Sequence, residues 1–329
     1  MGIEKTIVIQ EAFFRRRRLW VGLLKALLVG WLGYILYRQV VVEAGMSGLW
    51  RHLAGLWPEK MPWLLAAAVL MPVNWMLEAQ KWRCLMMPFA PINKRQALRG
   101  IMAGVSFSQL TPNRVGEYGG RLAILPAGQY GAGVAATMVG SLAQWLALFS
   151  GGLAGLLYMA RFDSPWRYAA FATAGILAVL TLVYFAGGRL AMALPSRLKK
   201  WRAPNALRQR LSFLAPYPQR ILWRALVLAF ARYSVYVAQY ALLIRATNLD
   251  IPPDIIFSGI AAIYLFQTGI PVPPLAAVLT RGELALWLWE SYNVDTLSIL
   301  TASFALFIIN LGVPALLGAA VIVKTKVLK

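Results

Sequence analysis

Residues Ala97–Thr111 (ALRGIMAGVSFSQLT) form an apolar stretch too short to cross a bilayer, in a chain whose other apolar stretches are long enough. A spanning helix needs about 20 predominantly apolar residues. This stretch falls short of that, carries Arg99 near its start, and runs into Pro112-Asn113-Arg114-Val115-Gly116-Glu117-Tyr118-Gly119-Gly120-Arg121. The pattern predicts a half-helix that enters the bilayer and turns back. Irregular backbone at membrane depth persists only against protein or a water-filled cavity. The charged turn therefore falls where a membrane protein would bind something.

The chain is 60% hydrophobic and 14% charged, with a mean hydropathy of +0.62. A soluble domain has about 25% charged residues, so this is an integral membrane protein. One Cys (Cys84) and one His (His52) exclude a disulfide framework and a multi-His or Cys-His metal cluster. An all-carboxylate ion site stays open on composition. The net charge of +21 reads as positive-inside loops rather than a nucleic-acid surface. Arg15-Arg16-Arg17-Arg18 precede an apolar stretch from Leu19 to Val42. That stretch is too long for a signal h-region and no cleavage site stands out after it, so a retained first helix is expected.

Full-length apolar segments fall at Leu19–Val42, Pro62–Lys81, Gly131–Ala160, Tyr168–Gly187, Ile221–Arg245 and Thr296–Val323. Two more are broken: Ala97–Thr111, and Ile255–Thr280 with Pro271, Pro273 and Pro274. Basic residues group before the first segment, after the second, between Arg189 and Arg224, and at the C-terminal end. Placing these groups in the cytoplasm, with Arg114 and Arg121, collects 24 of the 33 Lys and Arg inside and leaves five in outer loops. This requires both broken segments to enter and leave on one side. The expected fold is an all-α polytopic membrane protein: six spanning helices plus two re-entrant Pro-broken segments, N-in and C-in.

The two halves resemble each other at a single fixed offset. Ala79-Gln80 meets Ala238-Gln239, Ile92 meets Ile251, and Gly100-Ile101 meets Gly259-Ile260. At the same offset Ala103, Phe107 and Pro112 meet Ala262, Phe266 and Pro271, all without a gap. Charge counting puts the two units in opposite orientations, so an inverted repeat is expected, its halves about 62–187 and 221–323, joined by a basic cytoplasmic loop at 188–220, within one membrane domain. Such repeats place substrate near the midplane. Leu49, Trp50, Leu53, Leu56 and Trp57 recur at helical spacing and read as an outer-interface amphipathic helix or as a plain connecting loop. Asn205–Leu214 has a similar apolar face with Arg208 and Arg210 elsewhere, suited to an anionic leaflet, with the same alternative.

Charges inside apolar segments require explanation. Lys25 can snorkel, as can Arg38 and Arg245 near helix ends. Arg232 lies deep in its segment and should face the bundle, paired with a carboxylate or an anionic ligand. Glu78, with Asn74 one turn before it, shares a helix face with Lys81 and Trp82. It either forms an interfacial ion pair beside a Trp anchor or faces the re-entrant turn and meets an Arg or a cationic headgroup. Glu117 and Arg121 are four apart and could pair on a short helix. A turn fixed by Pro112 and Gly116, with Arg114 and Arg121 on either side, also suits phosphate. Arg281-Gly282-Glu283 reads as an opposing gate or a solvated loop.

Glu78 with Lys81-Trp82-Arg83, the short apolar segment, and Thr111-Pro112-Asn113-Arg114-Val115-Gly116-Glu117 with Arg121 resemble the family of the transmembrane region of lysylphosphatidylglycerol synthases, a flippase-like family that also occurs in stand-alone form. The resemblance runs from about Leu19 to Val323, and the Pro-x-Arg-x-Gly-Glu stretch is its most specific part. It implies movement of a polar or charged lipid headgroup between leaflets, in a multi-pass protein of the cell membrane. The family's motif residues carry over to Pro112, Arg114, Gly116, Glu117 and Arg121; together with Glu78, Arg232, Arg281 and Glu283 from the charges above, they are the residues expected to bind a phospholipid or lipid-linked substrate. In the second half, Pro273-Pro274-Leu275-Ala276-Ala277 stands where such proteins often carry a Gly-rich turn, and Glu283 comes late. No Walker A pattern is present, so ATP is not expected to be the direct driver. No cofactor, metal or catalytic residue is expected. With no synthase domain after Lys329, the chain is not expected to make the lipid it moves. The competing readings are an intramembrane transferase using Glu78 or Glu117 as base, and a scaffold for a partner lipid-modifying enzyme.

Overall fold

The computed structural model describes residues 46–56, 58–109, 116–161, 165–193, 217–268 and 276–324, all in helices or the connections between them. The expected first helix with Lys25 and Arg38, the segment Asn205–Leu214, and the turns holding Pro112, Arg114 and Pro271 to Pro274 lie outside these residues. Helix α1 covers Met46–Gly55, α2 Met61–Met86, α3 Lys94–Gln109, α4 Gly116–Leu122, α5 Tyr130–Met159 and α6 Pro165–Ala193. In the second half, α7 covers Gln219–Ala246, α8 Pro253–Thr268, α9 Ala276–Leu288, α10 Thr296–Phe307 and α11 Val313–Lys324, the last two joined by a π-helical turn at Ile308–Gly312.

Among the described residues, five helical stretches are long and apolar enough to cross a membrane: α2, α5, α6, α7 and the continuous α10–α11. They correspond to the five spanning segments expected after the first. The protein is an all-α polytopic membrane protein. Helices α2 and α7 run along each other as the central pair, with α5 against both, α6 outside α5, and α10 against α7.

The two short segments are helices of 16 residues, α3 and α8. At 1.5 Å per residue each is about 24 Å long, short of a hydrocarbon core of about 30 Å. Both are enclosed by protein: α3 by α2, α4 and α11, α8 by α5, α7 and α9. Nearly every residue of α3 from Ala97 to Ser108 is buried or half-buried. Helix α3 starts at Lys94, just before the apolar run. Asn93 Oδ1 accepts the Gln96 N–H at 2.8 Å while the Gln96 side chain accepts the Asn93 N–H at 3.0 Å, a reciprocal capping box. The offset that carries Ala79 to Ala238 also carries Lys94 and Gln109, the ends of α3, onto Pro253 and Thr268, the ends of α8. It carries the ends of α2 to within one position of the ends of α7.

Four expectations are corrected. The second broken segment does not end at Thr280: Thr280-Arg281-Gly282-Glu283 lie inside α9, which continues to Leu288. Lys81 is no loop charge but is 1% exposed within α2. Arg189 belongs to α6, and Arg220 and Arg224 to α7, not to the connecting loop. The amphipathic helix α1 does more than float on an interface. Its Leu49 is buried, its Trp50 ring meets Phe304 edge-on at 5.1 Å, and His52 Nδ1 lies 2.9 Å from Thr301 Oγ1 on α10.

Small residues let these helices approach closely, as in other membrane bundles. Gly155 of α5 faces the Ser258 carbonyl and Ala261 of α8. Gly318 of α11 lies on Met102 and Ser106 of α3, where Ser106 Oγ donates to the Ala315 carbonyl at 2.8 Å. Gly100 receives the ring of Trp82, and Gly259, its counterpart in the second half, receives the ring of Trp289. Asp295 caps α10 by accepting the Ser298 N–H at 2.8 Å. Hydrogen bonding from Ser298 holds this carboxyl below the usual carboxylate range. The cap therefore contributes in full above the unfolded-state value and fades as pH falls through the lower folded-state value.

The α3–α4 contact gives a direct test. A Cβ on Gly120 would lie 2.5 Å from the backbone of Ala103 and Gly104, whereas one on Gly119 would meet nothing within 4 Å. Backbone cannot yield as a side chain can, so Gly120→Ala should destabilise the protein by about 1–3 kcal/mol. Gly119→Ala should be neutral or stabilising by up to about 1 kcal/mol through helix propensity. Thermal unfolding of the purified variants measures both, and equal melting temperatures would contradict the close approach.

Candidate functional site

Four polar side chains stand near the middles of four spanning stretches: Asn74 on α2, Gln144 on α5, Arg232 on α7, and Asn310 in the turn between α10 and α11. They meet. Arg232 Nε donates to Asn74 Oδ1 at 2.8 Å and Nη1 to Gln144 Oε1 at 3.2 Å. Asn74 Nδ2 donates to Asn310 Oδ1 at 3.4 Å. In hydrocarbon such groups are tolerated only against one another or a polar cavity, so this layer marks the depth of the site.

Proline chemistry helps build the layer. Pro72 lies inside α2, and its missing N–H leaves the Ala68 carbonyl unanswered. Pro314 cannot donate to the Asn310 carbonyl. The chain accommodates this with the π-helical turn at Ile308–Gly312, a device common at functional sites. That turn carries Asn310 to Asn74.

One turn below Asn74, Glu78 gathers the cations. Its Oε2 lies 2.7 Å from Lys81 Nζ and 3.0 Å from Arg232 Nη1, and its Oε1 accepts from Arg121 Nη2 at 2.8 Å. Arg121 also pairs with Glu117 one turn before it on α4. The Glu78, Lys81 and Arg121 side chains are 5%, 2% and 3% exposed, Arg232 15% and Glu117 25%. Lys81 Nζ donates to Gln144 Oε1 at 3.3 Å. Arg232 Nη2 donates to the Tyr236 hydroxyl at 3.2 Å and stacks on that ring at 5.2 Å. Arg121 lies over the Trp82 ring at 5.8 Å. Trp82 is fully buried, which disfavours the interfacial-anchor reading of this helix face and leaves the one in which Glu78 meets an Arg.

The charges do not balance. Among the described residues, three cations meet one enclosed carboxylate and one partly exposed carboxylate, a surplus of one positive charge. Two donors, Arg121 Nε and Trp82 Nε1, are also enclosed without an acceptor among the described residues. The arrangement can therefore receive an anion with several acceptor oxygens.

Of the residues expected to form the site, Glu78, Glu117, Arg121 and Arg232 come together here, with Gly116 buried at the start of α4. Pro112 and Arg114 lie outside the described residues, before α4 in the sequence. Arg281 is elsewhere, stacked on Tyr240 and Tyr264, and Glu283 is exposed and joins neither group. Sequence reasoning singles out Asn74 only for its place beside Glu78, and it misses Gln144, Tyr236 and Asn310. An amide alone in an apolar segment is the available signal for Gln144 and Asn310, and attention to ionisable groups passes over it.

A family model described as the lysylphosphatidylglycerol synthase TM region matches residues 19–318. The chain belongs to this family. No curated protein matches it.

The cluster's dependence on Glu78 is measurable. Removing one partner from a buried ion pair costs about 3–5 kcal/mol because the other charges stay buried. Glu78→Gln should lose about that much stability. Glu117→Gln, at a partly exposed pair, should lose about 1 kcal/mol or less. Thermal unfolding in detergent compares the two, and equal losses would mean that Glu78 does not hold the cations together.

Proposed function

We propose that this member of the family is a lipid translocator that passes a phosphate-bearing headgroup between leaflets through the midplane layer while the acyl chains stay in lipid. The observation that supports it most is the surplus positive charge halfway along the spanning helices. An unanswered cation at bilayer depth costs at least about 2.5 kcal/mol. An entering phosphodiester offsets that cost, and guanidinium forks match its oxygens. Glu78 holds the three cations while no headgroup is present, and Arg121 Nε and Trp82 Nε1 supply donors still to be used. Arg114, in the turn before α4, is a further phosphate ligand in this reading. Glu117, the more exposed acid of the cluster, is suited to a cationic group on an aminoacylated headgroup.

The recurrence of helix bounds at the offset of the sequence repeat supports two inverted repeats with the substrate between them. With the expected first helix this gives six spans and two re-entrant segments, N-in and C-in, in the cell membrane. A transferase using Glu78 as base fits less well, because both of its carboxylate oxygens are already taken by cations.

Reconstitution in liposomes tests the proposal. Fluorescent phosphatidylglycerol, phosphatidylethanolamine and phosphate-free glucosylceramide are placed in both leaflets, and a membrane-impermeant quencher reports exchange. The expected result is acceleration of at least tenfold over empty liposomes for a phospholipid. Arg232→Gln and Arg114→Ala should lose it while eluting as the parent protein does. Rates equal to those of empty liposomes for both phospholipids, or equal acceleration of glucosylceramide, would overturn the phosphate-directed reading.

A further inference from the structure

Arg281 lies within α9, the helix that follows the break in the second half as α4 follows the break in the first. Its guanidinium lies 5.7 Å from the ring centre of Tyr240 and 5.8 Å from that of Tyr264. Its Nη2 donates to Gln267 Oε1 at 3.3 Å, and its Nε is enclosed without an acceptor among the described residues. Among the described residues no carboxylate lies within ion-pair distance of it. Glu283, two residues on, is exposed.

Comparison with the first half explains the missing acid. Arg121 sits next to Leu122, the position that matches Arg281 at the repeat offset. Arg121 is answered by Glu78, beside Lys81. At the same offset Glu78 becomes Val237 and Lys81 becomes Tyr240. The second half keeps the cation and replaces its acid with an apolar side chain and its neighbouring amine with an aromatic ring. The ring faces favour a cation without neutralising it.

The polar ends of these tyrosines are already engaged. Tyr240 shares a 2.8 Å hydrogen bond with Ser303 Oγ, and Tyr264 donates to the Tyr236 carbonyl at 3.2 Å. Gln267 is fixed by its Nε2 donating to the Ala277 carbonyl at 2.8 Å. The guanidinium is thus held in place by groups that leave its charge and its Nε available. We propose that Arg281, set by Gln267, Tyr240 and Tyr264, is a second anion-binding site that takes the phosphodiester of a lipid headgroup.

The second site is connected to the first through aromatic side chains. Tyr236, which accepts from Arg232, lies 6.5 Å from Tyr264 between ring centres, and Tyr264 lies 6.2 Å from Tyr240. Along α7 the step from Arg232 to Tyr240 is just over two helical turns, about 12 Å. With the halves inverted, as proposed above, the two guanidiniums that follow the breaks lie on opposite sides of the midplane. The tyrosine series Tyr236, Tyr264 and Tyr240 would then lead from one to the other. The inference rests on the translocation reading only for the lipid source of the anion.

Equilibrium binding tests it independently of transport. Purified protein in maltoside detergent, free of phosphate, is titrated with short-chain phosphatidylglycerol, with inorganic phosphate, and with a maltoside-only control, while unfolding temperature is followed. The variants are Arg281→Gln, Arg281→Lys and the exposed Glu283→Gln. In the parent protein and Glu283→Gln, phosphatidylglycerol should raise the unfolding temperature in a saturable way. Arg281→Gln should bind it at least tenfold more weakly, and Arg281→Lys should recover part of the loss. Without lipid, Arg281→Gln should melt no lower than the parent, because it removes an unanswered charge. A lower melting temperature with the lipid response intact would make Arg281 a structural cation–π anchor and overturn the proposal. A response to inorganic phosphate equal to that for lipid would overturn the assignment to a lipid headgroup. Loss of binding in Arg281→Gln alongside absent translocation in the parent protein would refute the transport reading and leave the site standing.

Discussion

A guanidinium halfway along a membrane-spanning helix has to be answered by other groups at the same depth. Arg232 is in that position, and the surrounding architecture follows from meeting its requirements. Its donors are served by an acid and an amide from α2, an amide from α5 and a hydroxyl from its own helix. Those partners must reach one point, so α2, α5 and α7 must pack along each other through their middles, as they do. The short helices then have a polar wall to abut. Helix α4 brings Arg121 to the same acid, which ties a segment too short to span to the helices that do. The buried network does not by itself confer stability, since enclosed ion pairs often only break even against apolar packing. Its effect is to fix which helices meet and at what depth.

The backbone is adapted to that network at a few residues. Pro72 and Pro314 each deny one carbonyl its usual partner, and both lie close along the chain to a midplane amide, Asn74 or Asn310. Gly120 brings α4 against the backbone of α3 closely enough for Arg121 to reach Glu78 across the gap. Glycine weakens a helix in isolation, so its presence in the short α4 makes sense only through this approach.

The helical class and the half-length segments are legible in the sequence because both follow from the length of apolar runs, a one-dimensional quantity. The repeat offset is visible in residue identities and reappears in the matching bounds of α3 and α8. Glu78, Glu117, Arg121 and Arg232 stand out because a charge in an apolar run is costly and therefore conspicuous. Their grouping around one acid does not, since it depends on how α2, α4 and α7 pack. Trp82 misleads for a related reason: a Trp near a helix end is ordinarily interfacial, and only the presence of Gly100 opposite creates the buried slot it fills. Arg281-Gly282-Glu283 reads as a gate or a loop because two charges around a glycine, which weakens a helix by about 1 kcal/mol, suit a solvated turn. Here two tyrosines shelter the charge, and the glycine makes room for Leu300.

The two halves treat their cations differently, and the difference bears on how a headgroup would move. Under the proposed translocation, a phosphate arriving at the first site would compete with Glu78 for Arg121 and Arg232, so part of its binding energy would go into displacing an existing ion pair. At Arg281 it would meet, among the described residues, aromatic faces and one amide, so no ion pair would have to be displaced. A carrier needs sites that are favourable enough to enter and weak enough to leave. An acid that re-forms its ion pairs as the phosphate departs would supply the second requirement at the first site. A cation without a permanent partner supplies the first requirement at the other. Two identical salt-bridged sites would hold the headgroup out, and two unanswered guanidiniums would hold it in. In that reading, Val237 standing where the first half has Glu78 would give the pathway its asymmetry.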